Sequence, residues 1–203
     1  MQSATQQIKE IMFNNPGKIY INKDFEHIAN KNTIASILSK LNKQEQIKRL
    51  ITGMYVKPIY SEFLKASGNP FPSKVAEKIS QKHGWTIAPG GEVTLNYTGV
   101  STQIPNSYMY ISDGPSRIYE YQGWKITFIH RNKKYITSRS EEFAILIEAI
   151  KRLGKRSINN KRIIRQLASF AQNVKEDLAR ETKTFENWIR NVLLEIKEIN
   201  DNR

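Results

Sequence analysis

The chain has 203 residues, 39% of them hydrophobic, and no cysteine, so it can bury a core but cannot form a disulfide or a thiolate metal site. Its 32 Lys and Arg outnumber its 19 Asp and Glu, and the net charge of +13 favours an anionic partner such as nucleic acid. No apolar run is long enough for a membrane span and no export signal opens the chain, so we expect a cytoplasmic protein without membrane contact.

The first sixty residues predict three helices and a hairpin. In chain order we expect a helix capped by Ser3, a short strand at residues 18–21, a short helix capped by Asn22, a tight turn at residues 30–32, a helix from about Thr33, and β-prone runs at residues 47–51 and 54–56. This is the element order of a winged helix, and we predict an N-terminal winged helix-turn-helix over residues 1–60. A three-helix bundle with a small hairpin would show the same pattern.

The helix from Thr33 uses its apolar positions for a core, which leaves hydroxyl and ammonium side chains facing outward. Such residues suit a helix that enters the major groove of double-stranded DNA, and basic residues of the wing would contact the flanking backbone. A solvated helix face is the alternative. The predicted DNA-binding residues are Thr33, Ser36, Ser39, Lys40 and Lys43 of the helix, and Lys48, Arg49 and Lys57 of the wing.

The rest of the chain predicts an α+β fold with a helical end. Residues 60–73 are expected to be a connector, and residues 70–137 a small α+β unit with helices at 74–83 and 92–98 and strands at 85–88, 107–111, 117–121 and 124–129. Residues 138–203 are expected to be helical, with a capping box from Ser138 to Glu141, a helix end at Gly154, and a last helix carrying Phe185 and Trp188.

Catalytic signals are weak. His27, His83 and His130 do not have the spacing of metal ligands, and the chain has no P-loop, nucleophile elbow or nucleotidyltransferase pattern. We therefore expect no enzyme activity, no cofactor and no metal.

A dense basic stretch lies in the helical part, without an acidic residue inside it. It allows three interpretations: a second nucleic-acid surface, a docking face for an acidic protein, or a solvated face. Its residues are Lys151, Arg152, Lys155, Arg156, Lys161, Arg162 and Arg165.

Three segments of the middle unit resemble the AbiEi family of antitoxins: Pro89-Gly90-Gly91, the run from Asn96 to Pro105 with its Ser-Thr-Gln-Ile-Pro, and the run from Tyr108 to Arg117 with its Asp-Gly-Pro-Ser-Arg. Thr98 and Val100 stand where that family has leucines. The resemblance implies a type IV toxin–antitoxin system, with an antitoxin domain over residues 70–203. The antitoxin-motif residues are Thr102, Gln103, Asp113, Ser116 and Arg117.

The resemblance also implies a function: an autorepressor that binds the operator of its own operon and counteracts a nucleotidyltransferase-like toxin encoded beside it, with or without a stable complex. One alternative is a transcription regulator with a ligand- or protein-sensing C-terminal domain and no antitoxin role. A homodimer and cooperative binding of monomers on DNA are both open.

Overall fold

The computed structural model describes residues 2–62, 66–103 and 105–202. They form a mixed α+β structure with a helical C-terminal region, which confirms the predicted class. The chain divides into two compact units: residues 1–84 with 120–124, and residues 85–119 with 125–203. The first unit thus extends past the boundary that we predicted between residues 60 and 70.

The first unit contains two small sheets and three α-helices among its described residues. A three-stranded antiparallel sheet has the order β1-β3-β2, and β4 and β5 pair separately. The elements are α1 (Ala4–Phe13), β1 (Ile19–Ile21), a 3₁₀ turn (Asn22–Phe25), α2 (Lys31–Lys43), β2 (Lys48–Ile51), β3 (Met54–Val56), β4 (Ile59–Ser61), β5 (Ala66–Gly68) and α3 (Pro72–His83).

Capping explains where the first helices begin. Ser3 caps α1, as predicted, and the structure shows that it does so in a capping box with Gln6. The predicted turn at residues 30–32 is wrong, because the Asn30 side chain accepts a hydrogen bond from the Thr33 N–H at 3.0 Å and starts α2 at Lys31. The predicted short helix is a single 3₁₀ turn in which Asp24, not Asn22, accepts from the preceding strand, at the Ile21 N–H.

The core of the first unit lies between α1, α2 and the three-stranded sheet. Large side chains from these elements and from the 3₁₀ turn are buried, and each burial stabilises the unit by roughly 1.5–3 kcal/mol. They include Ile8, Met12, Tyr20, Phe25, Ile34 and Leu38.

The predicted connector at residues 60–73 holds a hairpin and the start of a helix. Strands β4 and β5 pair from Ile59 with Gly68 to Ser61 with Ala66; residues 63–65 lie outside the described residues. Helix α3 ends at His83, as predicted, is followed by Gly84 in the left-handed region, and packs on β1. Its Lys78 pairs with Asp24 at 2.9 Å, which ties α3 into the first unit.

The second unit joins a sheet to a helical bundle. The four-stranded sheet has the order β6-β7-β9-β8, with β6 antiparallel and β9 parallel to β7. The elements are β6 (Ile87–Pro89), α4 (Val93–Tyr97), β7 (Tyr108–Ser112), β8 (Arg117–Tyr121), β9 (Trp124–His130), a 3₁₀ turn (Lys133–Tyr135), α5 (Glu141–Ser157), α6 (Lys161–Ala171), α7 (Leu178–Glu181), a 3₁₀ turn (Thr182–Thr184) and α8 (Asn187–Asp201).

Helix α5 begins at Ser140, not at the predicted Ser138. The Ser140 hydroxyl accepts from the Phe143 N–H at 3.2 Å and donates to Glu176 at 2.6 Å. Burial opposes the ionisation of Glu176, but the hydrogen bonds from Ser140 outweigh it and lower the pKa of that carboxyl. Gly154, with a φ of 70°, interrupts regular helix where we predicted its end.

Helices α5, α6 and α8 enclose the core of the second unit, with Phe143, Leu146, Leu167, Leu193 and Ile196 fully buried. Phe185 precedes α8 instead of lying on it, and its ring is tilted by 39° to the ring of Tyr135, with the two ring centres 5.3 Å apart. Among the described residues, no helix has the length and apolar character needed to cross a membrane.

Candidate nucleic-acid interface

Helix α2 presents a polar face to solvent. Ile34, Ile37, Leu38 and Leu41 are buried, whereas every residue predicted to face DNA on this helix is exposed. At about 100° per residue, Ser36, Ser39 and Lys43 lie along the centre of the exposed face, and Thr33 and Lys40 lie at its border. The exposed face therefore carries hydroxyls along its length and ammonium groups near its C-terminal end.

Asn32 joins this face as a residue that the sequence analysis missed. Because Asn30 caps the helix, Asn32 falls in the first turn of α2, one turn before Ser36, and its side chain is exposed. An Asn amide can pair with the N6 and N7 atoms of adenine in the major groove. The capping preference of Asn30 was the sequence signal that could have found it.

The hairpin of β2 and β3 is fastened to the end of α2. The Asn42 side chain accepts from the Arg49 N–H at 2.8 Å, so the helix and the edge strand are joined directly. Lys48 and Arg49 are both exposed on this strand, and a bulge follows at Leu50. Two of the predicted wing cations, Lys48 and Arg49, therefore lie beside the C-terminal end of the exposed helix face.

Lys57 is placed differently from the predicted wing contact. Its ammonium donates to the Gln46 carbonyl at 3.2 Å and lies 4.4 Å from the centre of the Phe13 ring. The side chain is half-buried, because it packs within the first unit.

Lys82 supplies a cation that the sequence analysis did not find. Its ammonium donates to the Thr52 carbonyl at 2.9 Å, at the turn between β2 and β3. Burial, and then the nearby Arg49 guanidinium, lower the pKa of Lys82. Thirty residues separate Lys82 from Thr52, so no local pattern could have placed it at the hairpin.

The α2–hairpin surface is cationic. From residue 27 to residue 61 the chain has six Lys or Arg and a single acidic residue, Glu45. We define the α2–hairpin surface as Asn32, Thr33, Ser36, Ser39, Lys40, Lys43, Lys48, Arg49 and Lys82.

In the second unit, the Asp113-Gly114-Pro115-Ser116 segment forms a hydrogen-bonded corner. Asp113 accepts from the Thr86 N–H at 2.8 Å and from the Thr137 hydroxyl at 3.0 Å. Ser116 accepts from the His130 N–H at 2.9 Å. Both motif side chains therefore bind the protein's own backbone and side chains.

Gly114 is required by packing at the same corner. A Cβ at this position would lie 2.3–2.5 Å from three atoms of the Trp85 ring. The Arg117 guanidinium lies over that ring at 6.0 Å, and its side chain is exposed. Of the residues in this turn, Arg117 is the one that offers a charged group to a partner.

The Ser-Thr-Gln-Ile-Pro run follows α4. Asn96 donates to the Gln103 carbonyl at 2.6 Å and so fixes the loop, while the side chains of Thr102 and Gln103 are exposed. Ile104 lies outside the described residues. The structure supports a role for Asn96 in shaping the loop, with Thr102 and Gln103 at its surface.

The basic stretch divides into engaged and exposed residues. Lys151 is half-buried over the ring of Tyr135, 4.2 Å from its centre, and Arg152 pairs with Glu92. The remaining cations are exposed, and none forms an ion pair within the described part of the chain. They are Lys155, Arg156, Lys161, Arg162 and Arg165.

A groove of about 520 Å³ lies beside these cations, between the segment after Gly154 and helix α8. The His130 ring belongs to the corner at Asp113, where its Nδ1 lies 2.9 Å from the Gly114 carbonyl oxygen. Within residues 2–62, 66–103 and 105–202, no three His, Asp or Glu side chains are grouped closely enough to hold a metal ion.

Comparison with known proteins gives a family but no activity. No curated protein matches the chain. A family model described as a family of unknown function, DUF6088, matches residues 6–178, and the chain therefore belongs to the DUF6088 family.

Proposed function

We propose that the chain binds double-stranded DNA through the α2–hairpin surface and represses its own operon, and that it also acts as an antitoxin. The observation that carries the DNA-binding proposal is the exposed, acid-free face of α2 beside the cations of the hairpin. A basic surface of this kind is the electrostatic footprint of a nucleic-acid-binding protein.

The element order supports a winged helix as the form of this domain. Helix α1, strand β1, the 3₁₀ turn, helix α2 and the β2–β3 hairpin follow one another as in that motif. In this arrangement α2 would be the recognition helix in the major groove, and the hairpin would be the wing over the flanking backbone. The bond from the Arg49 N–H to Asn42 would hold the wing at a fixed position beside the helix.

The DNA-binding proposal is tested with the duplex that lies upstream of the chain's own gene. Lys43→Ala with Arg49→Ala removes one ammonium and one guanidinium from the α2–hairpin surface, and we expect weaker binding and a flatter salt dependence. Lys183→Ala with Arg190→Ala is the matched control, because both residues are exposed in the second unit and the same charge is lost. Equal affinities of the two double variants for the duplex would refute the assignment.

The antitoxin proposal is supported by the resemblance of residues 89–117 to the AbiEi family. The corner at Asp113 and the loop held by Asn96 give a physical reason for the two motifs, since their side chains shape the backbone. The exposed groups that they present are Thr102, Gln103 and Arg117. A nucleotidyltransferase-like toxin is the proposed functional partner.

Co-expression with the product of the neighbouring gene tests the antitoxin proposal. We expect that product to arrest growth alone and the full chain to restore growth. The Lys43→Ala, Arg49→Ala variant should restore growth as well, because its changes lie in the first unit. A neighbouring product that is harmless, or whose toxicity the full chain does not relieve, would reject the proposal.

A further inference from the structure

The groove beside the exposed cations has a defined lining in the second unit. Ile158 and Val192, both buried, form its floor. Helix α8 contributes a stripe of side chains at i, i+3 and i+7, namely Trp188, Asn191 and Glu195. The opposite wall carries Lys155, Asn159 and Lys161.

The two walls of the groove suit different parts of a nucleotide. The indole of Trp188 offers a flat apolar face, and its Nε1 donates to Glu186 at 2.7 Å, which restrains the ring. Nucleobases stack on such rings irrespective of sequence. Lys155 and Lys161 offer ammonium groups, and the exposed Arg162 and Arg165 continue the charge along α6.

The volume and the backbone also fit this ligand. A groove of about 520 Å³ is large enough for one base and its sugar. Gly154 has a φ of 70° and a ψ of 169°, and this break turns the segment after it away from the axis of α5. The segment then carries Lys155 and Asn159 to the edge of the groove.

We propose that this groove binds a single-stranded nucleic acid, with one base against Trp188 and the flanking phosphates on Lys155, Lys161 and Arg162. Nucleic acid is favoured over an acidic protein because the lining combines cations with an aromatic face and with amide groups that can pair with a base edge. This site is separate from the α2–hairpin surface and does not depend on duplex binding there.

Glu195 gives the site a base preference. It is the acidic residue of the groove lining. Because its carboxylate would repel a phosphate, we place it against the edge of the bound base. A carboxylate accepts a hydrogen bond from an amino group such as N4 of cytosine, whereas uracil has no amino group. The groove therefore prefers a cytosine-containing strand to one that contains only uracil.

The test measures the anisotropy of labelled oligonucleotides of about ten nucleotides, oligo(rC), oligo(dC) and oligo(rU), against the full chain. The measurements are made in the Lys43→Ala, Arg49→Ala variant, because it removes two cations of the α2–hairpin surface that could bind the oligonucleotides. We expect both oligo(rC) and oligo(dC) to bind, and the comparison of their affinities shows whether ribose or deoxyribose is preferred. The Trp188→Phe variant should bind the cytosine strands about as tightly as the chain that keeps Trp188, and the Trp188→Ala variant about tenfold more weakly.

Trp188 packs partly against the core, so charge variants provide a second measurement. Lys155→Ala with Lys161→Ala should lower the salt slope by about 1.4, whereas the Lys183→Ala, Arg190→Ala control should leave it unchanged. Glu195→Gln should reduce the preference for oligo(rC) over oligo(rU). Unchanged oligo(rC) binding in the Lys155, Lys161 variant overturns the proposal, and so does a polyglutamate peptide that binds more tightly than any oligonucleotide.

Discussion

Replacing Lys82 by Ala tests whether the hairpin turn contacts DNA phosphates. The α2–hairpin surface holds five cations, and each that neutralises a phosphate contributes about 0.9 to the slope of log affinity against log salt. The slope should then be about −4.5 for the unchanged chain and about −3.6 for Lys82→Ala. Between about 50 and 200 mM salt the affinity should fall about 500-fold for the unchanged chain and about 150-fold for the variant.

The assay is titration of the upstream duplex at several salt concentrations, with two matched variants. Lys78→Ala lies one turn earlier on α3, and its ammonium pairs with Asp24, so its slope should match that of the unchanged chain. Lys82→Gln keeps a donor for the Thr52 carbonyl but removes the charge, so it should behave like Lys82→Ala. If Lys82→Gln restores the full slope, Lys82 acts by holding the turn and the reasoning is refuted.

Three further predictions concern single side chains. Asn32→Ala should lower the binding preference for adenine over other bases at one position of the duplex by roughly 1–3 kcal/mol, measured by binding-site selection. An unchanged base preference at every position would exclude a base contact by Asn32. Gly114→Ala should destabilise the chain by roughly 1–3 kcal/mol in denaturant unfolding, because the new Cβ would meet the Trp85 ring, and full stability would show that the ring can move. Burial raises the pKa of Tyr121 from 10.0 to about 12. The folding stability that its neutral hydroxyl adds is therefore present below pH 10 and is lost as the pH rises to about 12. Tyr121→Phe should lower the free energy of unfolding by about 1 kcal/mol below pH 10, because the hydrogen bond to the Pro70 carbonyl is lost. In unfolding measured against pH, the variant should lose less stability between pH 10 and about 12 than the unchanged chain, and an equally steep loss would contradict this.

The elements of the first unit could be predicted where periodicity and capping agree. The apolar positions of α2 were correct because Ile34, Ile37 and Leu38 repeat at helical spacing. The predicted start of the helix was wrong because asparagine is common both in turns and at helix N-caps. The hydrogen bond from the Thr33 N–H to the Asn30 side chain shows that Asn30 is a cap. Asn32 was lost from the candidate site for the same reason.

Long-range contacts were beyond local patterns. Lys82 reaches Thr52 across thirty residues, and Arg152 reaches Glu92 across sixty. The first contact adds a cation to the α2–hairpin surface, and the second removes one from the basic stretch. The predicted capping box at Ser138 failed likewise, because Glu176, far along the chain, binds Ser140.

The hydrogen bond between Asn42 and the Arg49 N–H has a kinetic consequence. If the hairpin is the wing of a DNA-binding domain as proposed, it is already fastened to α2 and does not have to be ordered when DNA arrives, so little conformational entropy would be lost in the encounter. The association rate would then be governed by electrostatic attraction and would fall steeply with salt, while the dissociation rate would report the individual contacts. Replacing Asn42 would remove the bond that fastens the hairpin to α2. Part of the entropy cost of ordering the hairpin would then fall on the association step.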